Sequence, residues 1–149
     1  MILRAFAEPD RAAVVGLWHE VGLTRPWNDP DKDIDRALTT WPDLFLVAEG
    51  GGTPEDDDGG GGRAVVGTAL CGYDGHRGWI YYLAVAPSAQ GHGIGRALIA
   101  EAEARLAALG CPKAMLMVRR GNERAHGFYG GAGYAEDDVA TFGKRLIAD

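Results

Sequence analysis

The sequence predicts a mixed α/β domain, with one mostly antiparallel central sheet flanked by about four helices. Two patterns and one size argument predict it. Runs rich in β-branched and aromatic residues, such as Trp79-Ile80-Tyr81-Tyr82-Leu83-Ala84-Val85, are interleaved with runs whose apolar residues recur every three or four positions. Proline, glycine or aspartate bounds each run. The length, 149 residues with 46% hydrophobic and 24% charged content, suits a single domain over 1–149 built on one core.

Ile2 to Phe6 reads as a short strand. Asp10 then caps a helix whose Val14, Leu17, Trp18 and Val21 fall on one face, and Gly22 ends it. A second helix starts at Asp29-Pro30, with an N-cap acid, proline at the first helical position, and Asp31 and Asp33 near the positive end of the dipole. Ile34, Ala37, Leu38 and Trp41 form its apolar face, and Pro42 stops it. Phe45 to Ala48 is the next strand. It leads into a glycine-rich stretch at about 50–63 whose Glu55-Asp56-Asp57-Asp58 is flanked by seven glycines; with nothing apolar to bury, it is expected to be a flexible acidic loop.

Ala64 to Cys71 and Trp79 to Val85 make an antiparallel hairpin, turned by Tyr73-Asp74-Gly75-His76-Arg77-Gly78. A long helix runs from about Gly93 to Leu109, with Ile94, Leu98, Ala102, Leu106 and Leu109 on one stripe and Gly110 terminating it. Lys113 to Val118 is a strand, Asn122 caps a short helix to about Ala132, and Thr141 to Ile147 is the last expected strand.

Composition excludes several functions. Fifteen basic against 21 acidic residues give a net charge of −6, so no basic excess is present to hold a nucleic-acid backbone. Removing the four acids of the loop leaves −2, and the rest of the chain is nearly neutral. Cys71 and Cys111 have no C-x-x-C spacing, which argues against a disulfide framework or zinc site and for a reducing compartment. No export signal is visible, and Trp79 to Ala86, the longest apolar run, falls far short of the ~20 residues of a bilayer-crossing helix. A cytoplasmic location is expected. His19, His92 and His126 have no metal-ligand spacing, and no metal is expected.

The most informative segment joins the hydrophobic strand to the long helix, Val85-Ala86-Pro87-Ser88-Ala89-Gln90-Gly91-His92-Gly93-Ile94-Gly95-Arg96. Glycines at alternate positions let backbone N–H groups approach a ligand, and they converge on a helix N-terminus, where free donors and the dipole favour an anion such as pyrophosphate. The spacing is not G-x-G-x-x-G, since the sixth position from Gly91 is Arg96 and from Gly93 is Leu98; nor does G-K-[ST] follow. Neither NAD nor ATP fits.

Gln90-Gly91-His92-Gly93-Ile94-Gly95 does match Q/R-x-x-G-x-G/A, and here the chain resembles the GNAT superfamily of N-acetyltransferases. The order strand, two helices, three strands, helix, strand, helix, strand is also that family's order. The resemblance implies that Gln90, Gly91, His92, Gly93, Gly95 and Arg96 bind the pyrophosphate of acetyl-CoA, and that Leu83 and Val85 hold its pantetheine arm by backbone bonds. More narrowly, Arg25-Pro26-Trp27-Asn28-Asp29-Pro30, the turn 72–78 and Gly110-Cys111-Pro112-Lys113 look like a YpeA-like branch.

Acyl transfer places negative charge on the former carbonyl oxygen, so a donor must await it. By resemblance that donor is the amide of Val85. The departing thiolate needs a proton or a stabilising donor, which the resemblance assigns to Tyr129, within Asn122-x-x-Ala125-x-x-Phe128-Tyr129. Asn122 would hydrogen-bond the cofactor arm as well as cap its helix. Tyr129 also fits an apolar helix face with Ala125, Phe128 and Ala132, and Gly127, Gly130 and Gly131 weaken that helix.

For the base that takes the acceptor's proton, Asp74, His76, Glu49, Tyr81 and a water relay remain open. Tyr81 and Tyr82 should alternate faces. Arg25 and Trp27 are candidates for acceptor recognition, with arginine suiting a carboxylate. The expected reaction is direct transfer of acetyl to a primary amine on a small molecule or peptide. A non-catalytic acyl-CoA-binding or sensing domain, and a protein N-terminal or lysine acetyltransferase, are the alternatives. A homodimer is compatible with the sequence.

Overall fold

The computed structural model describes residues 1–50 and 64–149, so the acidic loop, apart from Gly50, lies outside the described residues. Five strands, β1 (Ile2–Ala5), β2 (Phe45–Gly50), β3 (Ala64–Tyr73), β4 (Gly78–Val85) and β5 (Ala114–Met115), form one sheet in the order β1-β2-β3-β4-β5. All neighbours are antiparallel except β4 and β5, which run parallel. Four helices flank it: α1 (Arg11–Glu20), α2 (Pro30–Thr40), α3 (Ile94–Ala108) and α4 (Glu123–Gly131). This is the expected mixed α/β architecture.

Capping chemistry starts α2 and α4, whereas Asp10, expected to cap α1, makes no side-chain cap bond and instead holds Arg4 and the Ala7 amide. The Asp29 carboxylate accepts from the backbone of Asp31 and Lys32, Pro30 follows at the first helical position, and α2 begins there. Asn122 does the same for α4 through the amide of Ala125.

Strand periodicity divides the core between the two faces of the sheet. On β2, Leu46 and Ala48 pack toward α3 with Leu98, Ala102 and Leu106, whereas Phe45 and Val47 pack toward α1 and α2 with Trp18 and Ile34. Trp18, Ile34, Phe45, Leu46 and Leu98 are wholly buried; each side chain of this kind contributes about 1.5–3 kcal/mol by leaving water. Phe128 and Tyr129 bring α4 onto the α3 side.

Two strand expectations need correction. The strand expected over 113–118 is reduced to Ala114–Met115, which pair with Gly78 and Trp79 alone. The strand expected over 141–147 does not form. Its large apolar residues, Phe142, Leu146 and Ile147, do not fall on one side of a two-residue repeat, and Gly143 interrupts them; Phe142 is 94% exposed. The segment is instead tied by polar contacts. Lys113 Nζ pairs with Asp137 just before it, Arg145 within it donates to the Asn28 side chain, and Asp149 just after it bonds both Arg36 and the amide of Asp29.

Candidate active site

Early separation of β4 and β5 opens the site. Beyond Trp79 no residue of β5 pairs with β4, so the remaining edge of β4 has no ladder partner among the described residues. The Ala86 amide donates to Val66 of β3 at 2.8 Å, and backbone groups alternate along a strand. The amides of Val85 and Leu83 therefore face the open edge.

A bulge sets that alternation. Leu70 pairs with Tyr81 and Thr68 with Ala84, so Tyr82 and Leu83 together oppose Ala69. Tyr82 has φ 48°, a left-handed conformation that costs a bulky side chain on the order of 1–3 kcal/mol. Side-chain parity switches here. Ile80 packs on the α3 side, Tyr82 and Ala84 on the α1 side, and Leu83 and Val85 on the α3 side again. Simple alternation, the basis for expecting Tyr81 and Tyr82 on opposite faces, therefore does not hold through this strand. Tyr82 stacks on Trp18 and donates its hydroxyl to Asp33, while Tyr81 is 41% exposed and stacks with Trp79.

At the C-terminal end of β4 the chain passes through one 3₁₀ turn, Pro87–Ala89, into the glycine segment and α3. Gly91 (φ 82°) and Gly93 (φ 79°) are left-handed, with open space where a Cβ would stand. Gly95 serves a different purpose: its Cβ would lie 3.1 Å from the Phe128 ring, so its absence lets α4 dock. Among the described residues, no protein acceptor takes the amides of residues 91–96, whereas the next amide, Ala97, bonds Gly93. Six free donors at the start of a 15-residue helix suit an anion with several oxygens.

Gln90 fixes this segment to its surroundings. Its Nε2 donates to the Val85 carbonyl at 3.1 Å, and its Oε1 accepts from Arg124 of α4 at 2.7 Å. Sequence reasoning missed Arg124, since nothing local marks an arginine that meets a glutamine 34 positions away. His92 is exposed with Nδ1 3.3 Å from the Ala89 carbonyl, and Arg96 lies beside Gly131.

Tyr129 is half-buried between Phe128 and Tyr134, with both contacts edge-to-face at 5.1 and 6.0 Å. It walls a cleft of about 1290 Å³ bounded by β5, the second half of α3, α4 and residues 135–141. The glycine segment lies outside that cleft, so its donors line an open surface. Burial holds the Tyr129 phenol above its ordinary value, so it stays protonated at neutral pH and is able to donate. Asn122 is seen in its capping role, 3.2 Å from the Ala125 amide.

Other candidate residues lie elsewhere. Asp74 and His76 sit in the β3–β4 turn, at the opposite end of β4 from Val85; seven residues separate His76 from Leu83, about 23 Å at strand spacing. The backbone amides of Arg77 and His76 hold the Asp74 carboxyl below its ordinary value, which makes it a poor base as well as a distant one. Glu49 is paired with Arg4. Burial and the Asp74 charge raise the Tyr81 phenol, in that order. Arg25 braces its own loop by donating to the carbonyls of Gly22 and Thr24 at 2.7 and 2.8 Å, so the structure does not aim it at an acceptor. Trp27, 55% exposed, borders a second hollow of about 650 Å³ with Asn28, Arg36 and Arg145. Burial pushes the Cys71 thiol up to about 12, which leaves it unreactive.

The sheet thus splits at its parallel pair, and free amides gather at the start of the helix that follows the split. Residues 14–134 match the model of the acetyltransferase (GNAT) family. A protein named acetyltransferase from Pectobacterium atrosepticum is 48% identical over 149 residues, spanning 100% of this chain and 98% of that relative. The chain belongs to the GNAT family and is an N-acetyltransferase. Among solved structures, the NatC complex bound to Gag peptide and CoA shares 25% identity at a TM-score of 0.71, over 87% of this chain and 81% of that one. AAC(6')-Iy with a CoA bisubstrate analogue matches the fold at a TM-score of 0.72 with 16% identity, over 97% and 98%.

Proposed function

We propose that this enzyme moves the acetyl group of acetyl-CoA to a primary amine by direct attack, with no covalent enzyme intermediate. One observation carries the reading: six amides without protein acceptors, at residues 91–96, continue from a strand edge that presents the amides of Leu83 and Val85. The donor set fits the coenzyme. The amides of Gly91 to Arg96 hold the pyrophosphate, Leu83 and Val85 hold the pantetheine by their backbone, and acetyl-CoA supplies an activated acyl carbon. The Val85 amide stabilises negative charge developing on the carbonyl oxygen as the amine nitrogen bonds the acyl carbon. When the carbon–sulfur bond breaks, the Tyr129 hydroxyl gives its proton to the sulfur, and the proton lost by the amine returns to Tyr129 through solvent. No metal takes part.

The acceptor is a small-molecule or peptide amine. The NatC neighbour is bound to a peptide and the AAC(6')-Iy analogue contains an acetylneamine, which keeps both classes in view. Trp27, exposed beside the second hollow, is the proposed acceptor contact. The branch is YpeA-like, on the segments 25–30, 72–78 and 110–113. Cytoplasmic location is proposed on the free cysteines; among the described residues no helix is long and apolar enough to cross a membrane. A homodimer is proposed because β5 has an open outer edge and the exposed Phe142, Leu146 and Ile147 of a second copy are chemically suited to cover it. Sedimentation velocity should find a dimer at micromolar concentration, and a monomer throughout would remove that proposal.

Isothermal titration tests the main reading. Acetyl-CoA should bind the wild type, and Gly93→Val should weaken binding at least tenfold, through the left-handed backbone and the lost approach to the amides. Tyr129→Phe should lower turnover at least tenfold while affinity stays within about threefold. Unchanged affinity in Gly93→Val would remove the phosphate cradle; unchanged turnover in Tyr129→Phe would remove its proton-donor role.

A further inference from the structure

We infer that Trp18, Thr68, Tyr82 and Asp33 form a positioning clamp that holds the β4 bulge in the backbone shape from which the amides of Leu83 and Val85 face the open edge. The inference rests on the proposed use of the Val85 amide and adds what keeps it aimed.

The clamp grips Tyr82, whose left-handed backbone does not persist without support. Its carbonyl accepts from the Thr68 hydroxyl at 2.8 Å. That hydroxyl accepts in turn from the Trp18 indole at 2.9 Å, so its single proton is directed at Tyr82 and nowhere else. Both Trp18 and Thr68 are wholly buried, and the bond between them is shielded from water. The Tyr82 ring stacks on the Trp18 indole, with centroids 3.9 Å apart and planes 14° from parallel. The phenol donates to Asp33 Oδ2 at 2.6 Å, and the other Asp33 oxygen accepts from Arg36 at 2.9 Å. Backbone carbonyl, ring and hydroxyl of one residue are thus each held by a different element: β3, α1 and α2.

Packing alone does not call for this arrangement. Valine at position 68 would fill the same volume, and phenylalanine at 82 would stack as well on Trp18. What the hydroxyls add is direction, applied at the residue where the β4 backbone reverses its parity. None of the four touches the glycine segment, and the clamp lies on the α1 side of the sheet while α3 lies on the other. Their influence on the reaction therefore passes through the backbone of β4.

Thr68→Val and Tyr82→Phe test it, with Thr68→Ser as the conservative control. Two readouts separate positioning from stability. The first is thiol release from acetyl-CoA with a lysine-bearing peptide and with spermidine as acceptors. The second is the carbonyl stretch of bound, carbonyl-labelled acetyl-CoA in difference infrared spectra, which reports hydrogen bonding to that oxygen directly. In the wild type the stretch should fall on binding. Thr68→Val should return it toward the free value and lower kcat at least tenfold, with Kd within about threefold; Thr68→Ser should restore both. Tyr82→Phe should move both readouts in the same sense by a smaller amount, and carries the test if Thr68→Val does not fold. A folded Thr68→Val or Tyr82→Phe that melts earlier but keeps the wild-type stretch and kcat would overturn the clamp while leaving the proposed function standing. A wild type whose bound carbonyl shows no shift would overturn the role of the Val85 amide, and the clamp with it.

Discussion

Gly91, Gly93 and Gly95 alternate in sequence yet answer to different demands, and the difference is testable. Gly91 and Gly93 are required by their left-handed backbone, which costs an ordinary residue roughly 1–2 kcal/mol. Gly95 is required by the Phe128 ring 3.1 Å from where its Cβ would stand. Gly95→Ala should therefore weaken acetyl-CoA binding by displacing α4, and Phe128→Leu introduced beside it should recover part of the loss. Gly93→Ala should gain nothing from the same second substitution. Titration calorimetry on the four variants closes the cycle, and an additive Gly95/Phe128 pair would show that the two do not meet. The sequence motif pointed to this segment because its glycines are local. It held no trace of Phe128 as the reason for the third one, because that reason lies 33 positions away.

At the level of elements, local capping and periodicity made the helices legible. Asp29-Pro30 and Asn122 cap where they were expected to, and α3 follows its apolar stripe. The β4 bulge was illegible, because an unbroken run of Ile, Tyr, Leu and Val carries no mark of a residue that turns left-handed; β3 and the packing of Tyr82 on Trp18 impose it. The short pairing of β5 was hidden for a related reason: strand propensity does not determine whether a neighbour stays alongside. Helix α4 carries three glycines, and none of its residues is fully buried. Gly127 and Gly130 have helical backbone and nothing within 4 Å of a built Cβ. Alanine at either should stabilise the helix by up to ~1 kcal/mol. The urea midpoint should rise for each and further for the pair; a fall would mean that α4 needs the smaller residue for a contact made only with coenzyme bound.

On the scale of the whole molecule, the segment after α4 is held by charge where a strand would have been held by a ladder. Its most distant anchor is Asp149, which bonds Arg36 at 2.5 Å and the Asp29 amide at 2.9 Å, and so joins that segment to the start of α2. Arg36 also grips Asp33, the carboxylate that receives the Tyr82 hydroxyl, so this anchor is continuous with the support of β4. Neither partner was predictable from spacing, because 113 positions separate Arg36 from Asp149. Arg36 first, and the Asp29 amide second, hold the Asp149 carboxyl down at about 2, against an ordinary 3.8. A carboxyl depressed in the folded state binds its proton more readily when unfolded, so its stabilising effect is complete above the ordinary value and vanishes as pH falls through the folded one. Asp149→Asn should therefore melt at a lower temperature than the wild type near neutral pH. The gap should narrow as pH drops from about 4 toward about 2. A gap that stays constant across that range would show that the carboxylate charge does not secure the segment, and that the amide and packing contacts hold it alone.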